Sequence, residues 1–368
     1  MAVTRPDTRR RTSAPSLEPV RELDARAASP CISGLAVVDP PTTLSQREVL
    51  ERLGLAGDEF AEGVFARCGV RRRQLELADD DFLAGTMQGR TAQVEDQLLR
   101  CAIEAVDQLD VDPRGIGTVI SASLYSTGCP TIAHRLVDHY EMASTTDKYH
   151  VVGVGCASAV PLLRLAGQAL HGRLGGRALV VAADSMSSIL MRAGEQDPKA
   201  KTVGSAIFGD GCAAAVLSAD GVGDGPAIVD SEVHQVAGTL DAVSLALAPT
   251  DSYLHLARDL PDLAAEGLPQ LVDRFLERNR LDARAIDHWV VHPGGRRIIE
   301  AVQAALSLSD EDVALSWHVL AERGNVGTPS IFYVLKETAE QRAPHSGEHA
   351  LAVTIGPGVT VGLMLLRW

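Results

Sequence analysis

Three residues carry side chains suited to covalent chemistry, and each falls at a switch between local patterns. Cys156 lies in Tyr149–Arg164 (YHVVGVGCASAVPLLR). There an apolar, β-branched strand run punctuated by Gly153 and Gly155 gives way to Ala/Leu-rich helical spacing as far as about Leu174. The pattern places the sulfur at or near the first turn of a buried helix, where unpaired N–H groups and the helix dipole favour negative charge. A thiolate held there is a nucleophile with a pKa drawn below its usual value of roughly 8.5. The small neighbours Gly155, Ala157, Ser158 and Ala159 leave room for a substrate carbonyl close to the backbone. His292 ends the apolar run HWVVH ahead of Pro293-Gly294-Gly295, a placement suited to hydrogen-bond donation or general-base work. Asn325, one of two asparagines in the chain, sits in ERGNVGTPS at a loop-to-helix switch, where its amide can polarise a carbonyl oxygen. Each residue also has a plainer reading: a buried structural thiol, a satisfied core imidazole and a helix N-cap.

The elements that must position these residues read as alternating strands and helices. Strands are predicted at about Ile32–Val38, Gly115–Leu124, Val151–Val154, Arg177–Ala183, Gly211–Leu217, Ile228–Val236, His288–His292, Ala350–Ile355 and Val359–Leu366. Ser45-Gln-Arg-Glu48 is a capping box opening a helix to about Leu53. Further helices are predicted over Phe60–Val70, Thr91–Leu109, Leu263–Asn279, Arg297–Leu306 and Thr328–Thr338. Residues 1–30 are Arg-, Pro- and Ser-rich without periodicity and read as a flexible arm. The glycine-rich loop Gly221–Gly225 divides an N-terminal half, 31–225, carrying the cysteine, from a C-terminal half, 226–368, carrying the histidine and asparagine. Strands alternating with helices in both halves imply an α/β fold with layered sheets.

Composition narrows the function. A chain of 368 residues exceeds the size at which single cores stop growing, so two domains or one duplicated architecture is expected. A net charge of −14 argues against general nucleic-acid binding, which demands basic surfaces. Six cysteines without a CxxC pair suggest neither a zinc site nor a disulfide framework. With no signal peptide apparent, a reducing cytoplasm is expected. No apolar run reaches the length of roughly 18 residues that spans a bilayer.

Taken together, the Cys at a strand-to-helix turn, His-Pro-Gly-Gly, Gly-Asn before a helix and Gly-Pro-Gly near the C-terminus resemble the type III polyketide synthases. These form the chalcone-synthase-like branch of the thiolase superfamily. The resemblance spans most of residues 31–368 and is carried by GCASAVPLLR, SAIFGDGCAAAV, WVVHPGG, ERGNVGTPSIF and TIGPGVTV. It implies a duplicated thiolase-like α/β fold, layered α-β-α-β-α with two mixed sheets, normally a homodimer. It also implies a Cys156-His292-Asn325 triad, a gatekeeper at Phe208, acyl-CoA and malonyl-CoA as substrates, and no metal or redox cofactor. The activity it implies is loading of a starter acyl group on Cys156, extension by decarboxylative condensation, and release of an aromatic, pyrone or short polyketide. A ketoacyl-ACP-synthase-III-like condensing enzyme or acyltransferase is the alternative within the superfamily. A non-catalytic paralogue is disfavoured because all three triad positions are filled.

Departures from the family pattern concern the pocket. The second gatekeeper position falls on Leu254, and positions often small or hydroxylated fall on Met186, Ile189 and Leu245. Gly327 stands where many relatives have Ser. A more apolar cavity with an aliphatic starter or a short product is expected. Ser126-Thr-Gly-Cys129-Pro130 is similar to the family's loop that reaches the partner's cavity, one residue shorter. Arg67 matches a basic residue that grips CoA phosphates, and Arg71–Arg73 read either as further phosphate ligands or as a solvated cationic turn.

Overall fold

The structure, a computed structural model, describes residues 29–77, 85–124, 126, 128–172, 176–190, 198–219, 225–247 and 252–368. Most of the N-terminal arm and of the Gly221–Gly225 loop lies outside these ranges. The strands are β1 (Cys31–Val38), β2 (Thr43–Ser45), β3 (Arg72–Gln74), β4 (Ile116–Ser123), β5 (Asp147–Val152), β6 (Arg177–Asp184), β7 (Gly211–Ser218) and β8 (Ala227–Gln235). They continue with β9 (Val243–Leu247), β10 (Ser252–Leu256), β11 (His288–Val291), β12 (His349–Gly356) and β13 (Thr360–Arg367).

Nine of these strands hydrogen-bond in the order β11-β12-β13-β8-β1-β7-β6-β4-β5. The two expected mixed sheets are the two ends of this order, joined edge to edge at the pair Cys31↔Ala227, which the bonds from Ile32 N to Pro226 O and from Ile228 N to Pro30 O flank. Duplication shows in the pairing itself. In the first half β4 runs parallel to β6, which is antiparallel to β7, which is antiparallel to β1. In the second, β11 is parallel to β12, which is antiparallel to β13, which is antiparallel to β8. The helix Ala159–Gly172 precedes β6 and the helix Ser330–Glu337 precedes β12, so the two buried helices occupy equivalent places.

Side-chain alternation along each strand builds the layers, because successive residues point to opposite faces. Ala178, Val180 and Ala182 of β6, with Ala350 and Ala352 of β12, face a central core shared with Val160, Leu163, Ile331 and Phe332 of the two buried helices. Leu179, Val181 and Ala183 face an outer core with the helix Met87–Asp107. On the far side Leu351, Val353 and Ile355 pack on Leu271, Phe275, Ile299 and Val302. Strands buried on both faces therefore read as continuous apolar runs. The result is the layered α-β-α-β-α arrangement.

Several elements differ from the sequence-based expectation. The predicted helix Leu263–Asn279 is two helices, Leu260–Ala265 and Leu268–Arg278, separated at Gly267 with φ 74°. Pro261 and Pro269 sit in their first turns, where a missing N–H costs nothing. The helices Ile132–His139, Pro198–Ile207 and Ala314–Arg323 and the hairpin β9–β10 were not predicted. The helix after Cys156 starts at Ala159, and Cys156 itself lies one turn earlier, in a 3₁₀ turn Gly155–Ala157. The capping box Ser45–Glu48 forms in full.

Candidate active site

The turn carrying Cys156 is shaped by two glycines. Gly155 takes φ 61°, and a Cβ there would lie 3.0 Å from Pro357. Gly356 lies so close that a Cβ would come within 2.6 Å of the Ala157 nitrogen. The Gly-Pro-Gly segment that begins at the last residue of β12 thus packs directly against the cysteine turn, which explains the glycine at 356. His292 continues β11: its N–H donates to Val353 O at 2.9 Å, and its own carbonyl accepts from Gly294 N at 2.8 Å. Gly294 makes room for the ring, since a Cβ there would be 2.9 Å from Cδ2 and 3.0 Å from Nε2. The imidazole Nδ1 is buried with no partner among the described residues.

Asn325 is held at both ends. Its N–H donates to Ile207 O at 2.7 Å and its carbonyl accepts from Gly209 N at 3.0 Å, which pairs it with Phe208 as an isolated parallel bridge. The side-chain Oδ1 accepts from Gly327 N at 3.0 Å, Ser330 Oγ at 3.0 Å and the Cys156 thiol at 3.7 Å. Nδ2 donates to Gly294 O at 3.3 Å. A backbone N–H on one side and a backbone carbonyl on the other fix which way the amide points. Nδ2 carries two hydrogens, so one stays available after the bond to Gly294.

Cys156, His292, Asn325, Phe208, Met186, Gly327 and Arg67 all line one cavity of about 690 Å³. Burial pushes the Cys156 thiol up to about 12, against the smaller opposing effect of the Asn325 contact. Burial likewise draws the His292 imidazole down to about 3. Burial therefore opposes the low-pKa thiolate expected at a helix N-terminus. It favours the neutral form of each group.

The other expected pocket residues are not among the described lining of this cavity. Cys129 and Pro130, expected to reach a partner's cavity, are exposed, joined by a cis peptide, and do not line the cavity of their own chain. Leu245 and Leu254 are register partners across the β9–β10 hairpin; their side chains, and that of Ile189, lie outside the described residues. The Arg71–Arg73 run does not line this cavity. Arg71 and Arg72 pair with Glu322, the latter at 2.6 Å, and Arg73 is completely buried. Among the described residues the cations at the cavity are the expected Arg67 together with Lys199, Arg258, Arg296 and Arg297, the last four brought in from distant stretches whose spacing gave no signal. Asp184 was also missed. It ends β6 and accepts from Ser123 Oγ at 3.0 Å, Leu124 N at 2.6 Å and Thr328 N at 2.7 Å, so it ties the first half to the loop after Asn325. Burial raises its carboxyl to about 6 against those three donors.

This fold and cavity match known proteins along nearly the whole chain. Residues 52–230 match the family model described as FAE1/type III polyketide synthase-like protein, and residues 228–368 match that of the C-terminal domain of chalcone and stilbene synthases. The 3,5-dihydroxyphenylacetyl-CoA synthase of Streptomyces toyocaensis is 26% identical over 92% of this chain and 90% of its own. The α-pyrone synthesis polyketide synthase-like Pks18 of Mycobacterium tuberculosis is 28% identical over 91% of this chain and 90% of its own. Among solved structures, PKS-I of the brown alga Ectocarpus siliculosus superimposes with a TM-score of 0.84 at 25% identity, covering 94% of this chain and 100% of that one. The fold is also that of 1,3,6,8-tetrahydroxynaphthalene synthase from Streptomyces coelicolor, with a TM-score of 0.83 at 22% identity over 93% and 99% of the two chains. The chain belongs to the type III polyketide synthases, decarboxylating condensing acyltransferases of thiolase-like fold.

Proposed function

We propose that Cys156 takes a starter acyl group from a CoA thioester and that His292 and Asn325 drive its extension with malonyl-CoA. In the first step His292 accepts the thiol proton as sulfur attacks the thioester carbonyl. A new C–S bond forms, and the CoA thiolate leaves with the proton from the imidazolium. In the second, malonyl-CoA loses carbon dioxide and the bonding pair moves into an enolate. Its oxygen receives hydrogen bonds from His292 and from the uncommitted Asn325 N–H, donors already fixed before charge develops. The enolate carbon then attacks the Cys156-bound acyl group, and the thiolate departs. Repetition and ring closure release an aromatic or pyrone product. No metal or redox cofactor takes part in these steps.

The observation that carries this reading is that the thiol contacts the Asn325 amide and that both share one cavity with His292. The starter is read as aliphatic. Among the described residues the lining includes Val64, Leu124, Met186, Val203 and Ile207 but no hydroxyl or carboxylate side chain that would pair a phenolic or hydroxylated acyl group. Arg67, Lys199, Arg258 and Arg297 at the same cavity would meet the CoA phosphates. The enzyme is read as a cytoplasmic homodimer; no described helix is long and apolar enough to cross a membrane. Incubation with labelled malonyl-CoA and a panel of acyl-CoAs, followed by mass analysis, tests the proposal. New C–C bonded products from aliphatic starters are expected. Acyl transfer without condensation would instead support the acyltransferase alternative.

A further inference from the structure

Arg73 is the largest side chain that the fold buries completely among the described residues, and the condensation steps above make no use of it. It enters from β3 and runs beneath the point where the two halves of the site meet. The helix Pro198–Ile207 ends immediately before Phe208, leaving carbonyls without helical partners. Arg73 Nη1 donates to Ala206 O at 2.5 Å and Nη2 donates to Ser205 O. The next carbonyl, Ile207 O, accepts from Asn325 N at 2.7 Å. Nη1 also donates to Gln46 Oε1 at 2.6 Å, while Gln46 Nε2 donates to Ala206 O at 2.8 Å. The guanidinium carbon stands 5.8 Å from the Phe65 ring centroid.

The stem of the side chain is equally constrained. A Cβ on Gly209, the neighbour of Phe208, would lie 3.2 Å from Arg73 Cβ, and one on Gly324, the neighbour of Asn325, would lie 3.4 Å from Arg73 Cδ. The arginine is thus wedged under both members of the Phe208–Asn325 backbone pair. Nε has no partner among the described residues, so the charge is held by the helix C-terminal carbonyls and by attraction to buried Asp210. A cation at a helix C-terminus is favoured by the dipole and by carbonyls that lack N–H donors. A planar fork reaching two successive carbonyls and an amide is something arginine offers and lysine does not.

We infer that Arg73 is a positioning residue, setting the Phe208 gate and the Asn325 amide as one unit. The inference rests on the role proposed for Asn325 and on the gatekeeper place that the family resemblance gives Phe208, whereas Cys156 stands on a separate turn. Arg73→Lys is therefore expected to keep acyl loading of Cys156 within about 3-fold of wild type while condensation falls roughly 100-fold, the penalty typical of displacing a positioned group by about 1 Å. Its product lengths should shift as the gate moves. Gln46→Ala, which removes one partner of the fork without taking away the charge, should move the same ratio in the same direction with a smaller change. This variant decides the matter if Arg73→Lys fails to fold.

Hydrogen exchange supplies a readout that does not depend on activity. The Gly209 and Asn325 amides should exchange at least about 10-fold faster in both variants, with β6 amides unchanged. Unchanged exchange at those two amides, or equal losses of loading and condensation, would overturn the inference. Faster exchange in a protein whose wild type forms no C–C bond would instead leave the positioning role standing and sink the condensing-enzyme reading.

Discussion

Burial holds Cys156 and His292 neutral from opposite directions, and the same burial makes the site a pH-sensitive part of the fold. The imidazole sits at about 3 rather than 6.5. Between those values the unfolded chain binds a proton that the native state refuses, so stability falls as pH drops through that window, by about 1.4 kcal/mol per pH unit at most. Asp184 works the other way. Raised from 3.8 to about 6, it binds a proton in the native state that the unfolded chain has released, so its contribution is lost as pH rises through about 4 to 6. The melting temperature of His292→Gln, relative to wild type, is expected to climb as pH falls from 6.5 to 4. That of Asp184→Asn, relative to wild type, is expected to fall over the same range. Parallel curves for wild type and His292→Gln would contradict the buried neutral imidazole. The three reactive residues were legible in the sequence because each falls at a visible change of pattern. Arg73 and Asp184 were not. Nothing in Arg71-Arg72-Arg73 marks which arginine turns inward, and an aspartate after an apolar run reads as an ordinary surface turn.

At the scale of elements, the site is made where the two equivalent buried helices begin: Cys156 precedes one and Asn325 the other. Glycines at their approaches are spatial requirements. Gly327 takes φ 72°, and a Cβ there would collide with the Asp184 carboxylate. Gly327→Ala is expected to destabilise the protein by about 1–3 kcal/mol and to lower condensation more than Cys156 loading, as read by thermal melts and single-turnover kinetics. Wild-type stability with wild-type turnover would contradict the close packing of this loop. The strands of the central layers were legible because both of their faces are apolar. The helix Pro198–Ile207 was not: Lys199, Lys201 and Gly204 break its apolar stripe, and its partners lie far away in the chain. The proline-containing boundary within the predicted helix Leu263–Asn279 was overlooked because the apolar spacing continues across Gly267.

The whole molecule joins two copies of one pattern through β1 and a shared central core, so each half depends on the other to bury its inner face. The duplication was foreseeable from chain length and from motifs in both halves, but of the cationic rim only Arg67 was, since Lys199, Arg258 and Arg297 join it only in three dimensions. One edge of the sheet ends at β5, whose outer side has no strand among the described residues. Tyr149 and Val152 on that strand are 45% and 41% exposed. An edge with unpaired backbone groups and apolar side chains suits pairing with a second copy. Sedimentation is expected to give about twice the chain mass of 39.0 kDa, and Tyr149→Lys combined with Val152→Lys should yield the monomer. A wild-type monomer at micromolar concentration would contradict the dimer.

The division of labour within the cavity is tested most directly by intact-mass analysis of the protein after incubation with a saturated acyl-CoA and labelled malonyl-CoA. Wild type should carry the acyl group on Cys156 and release extended product. Asn325→Ala should accumulate the unextended acyl-enzyme, and Cys156→Ala should carry no adduct. An acyl adduct in Cys156→Ala, or undiminished extension in Asn325→Ala, would contradict the assignment of nucleophile and enolate donor.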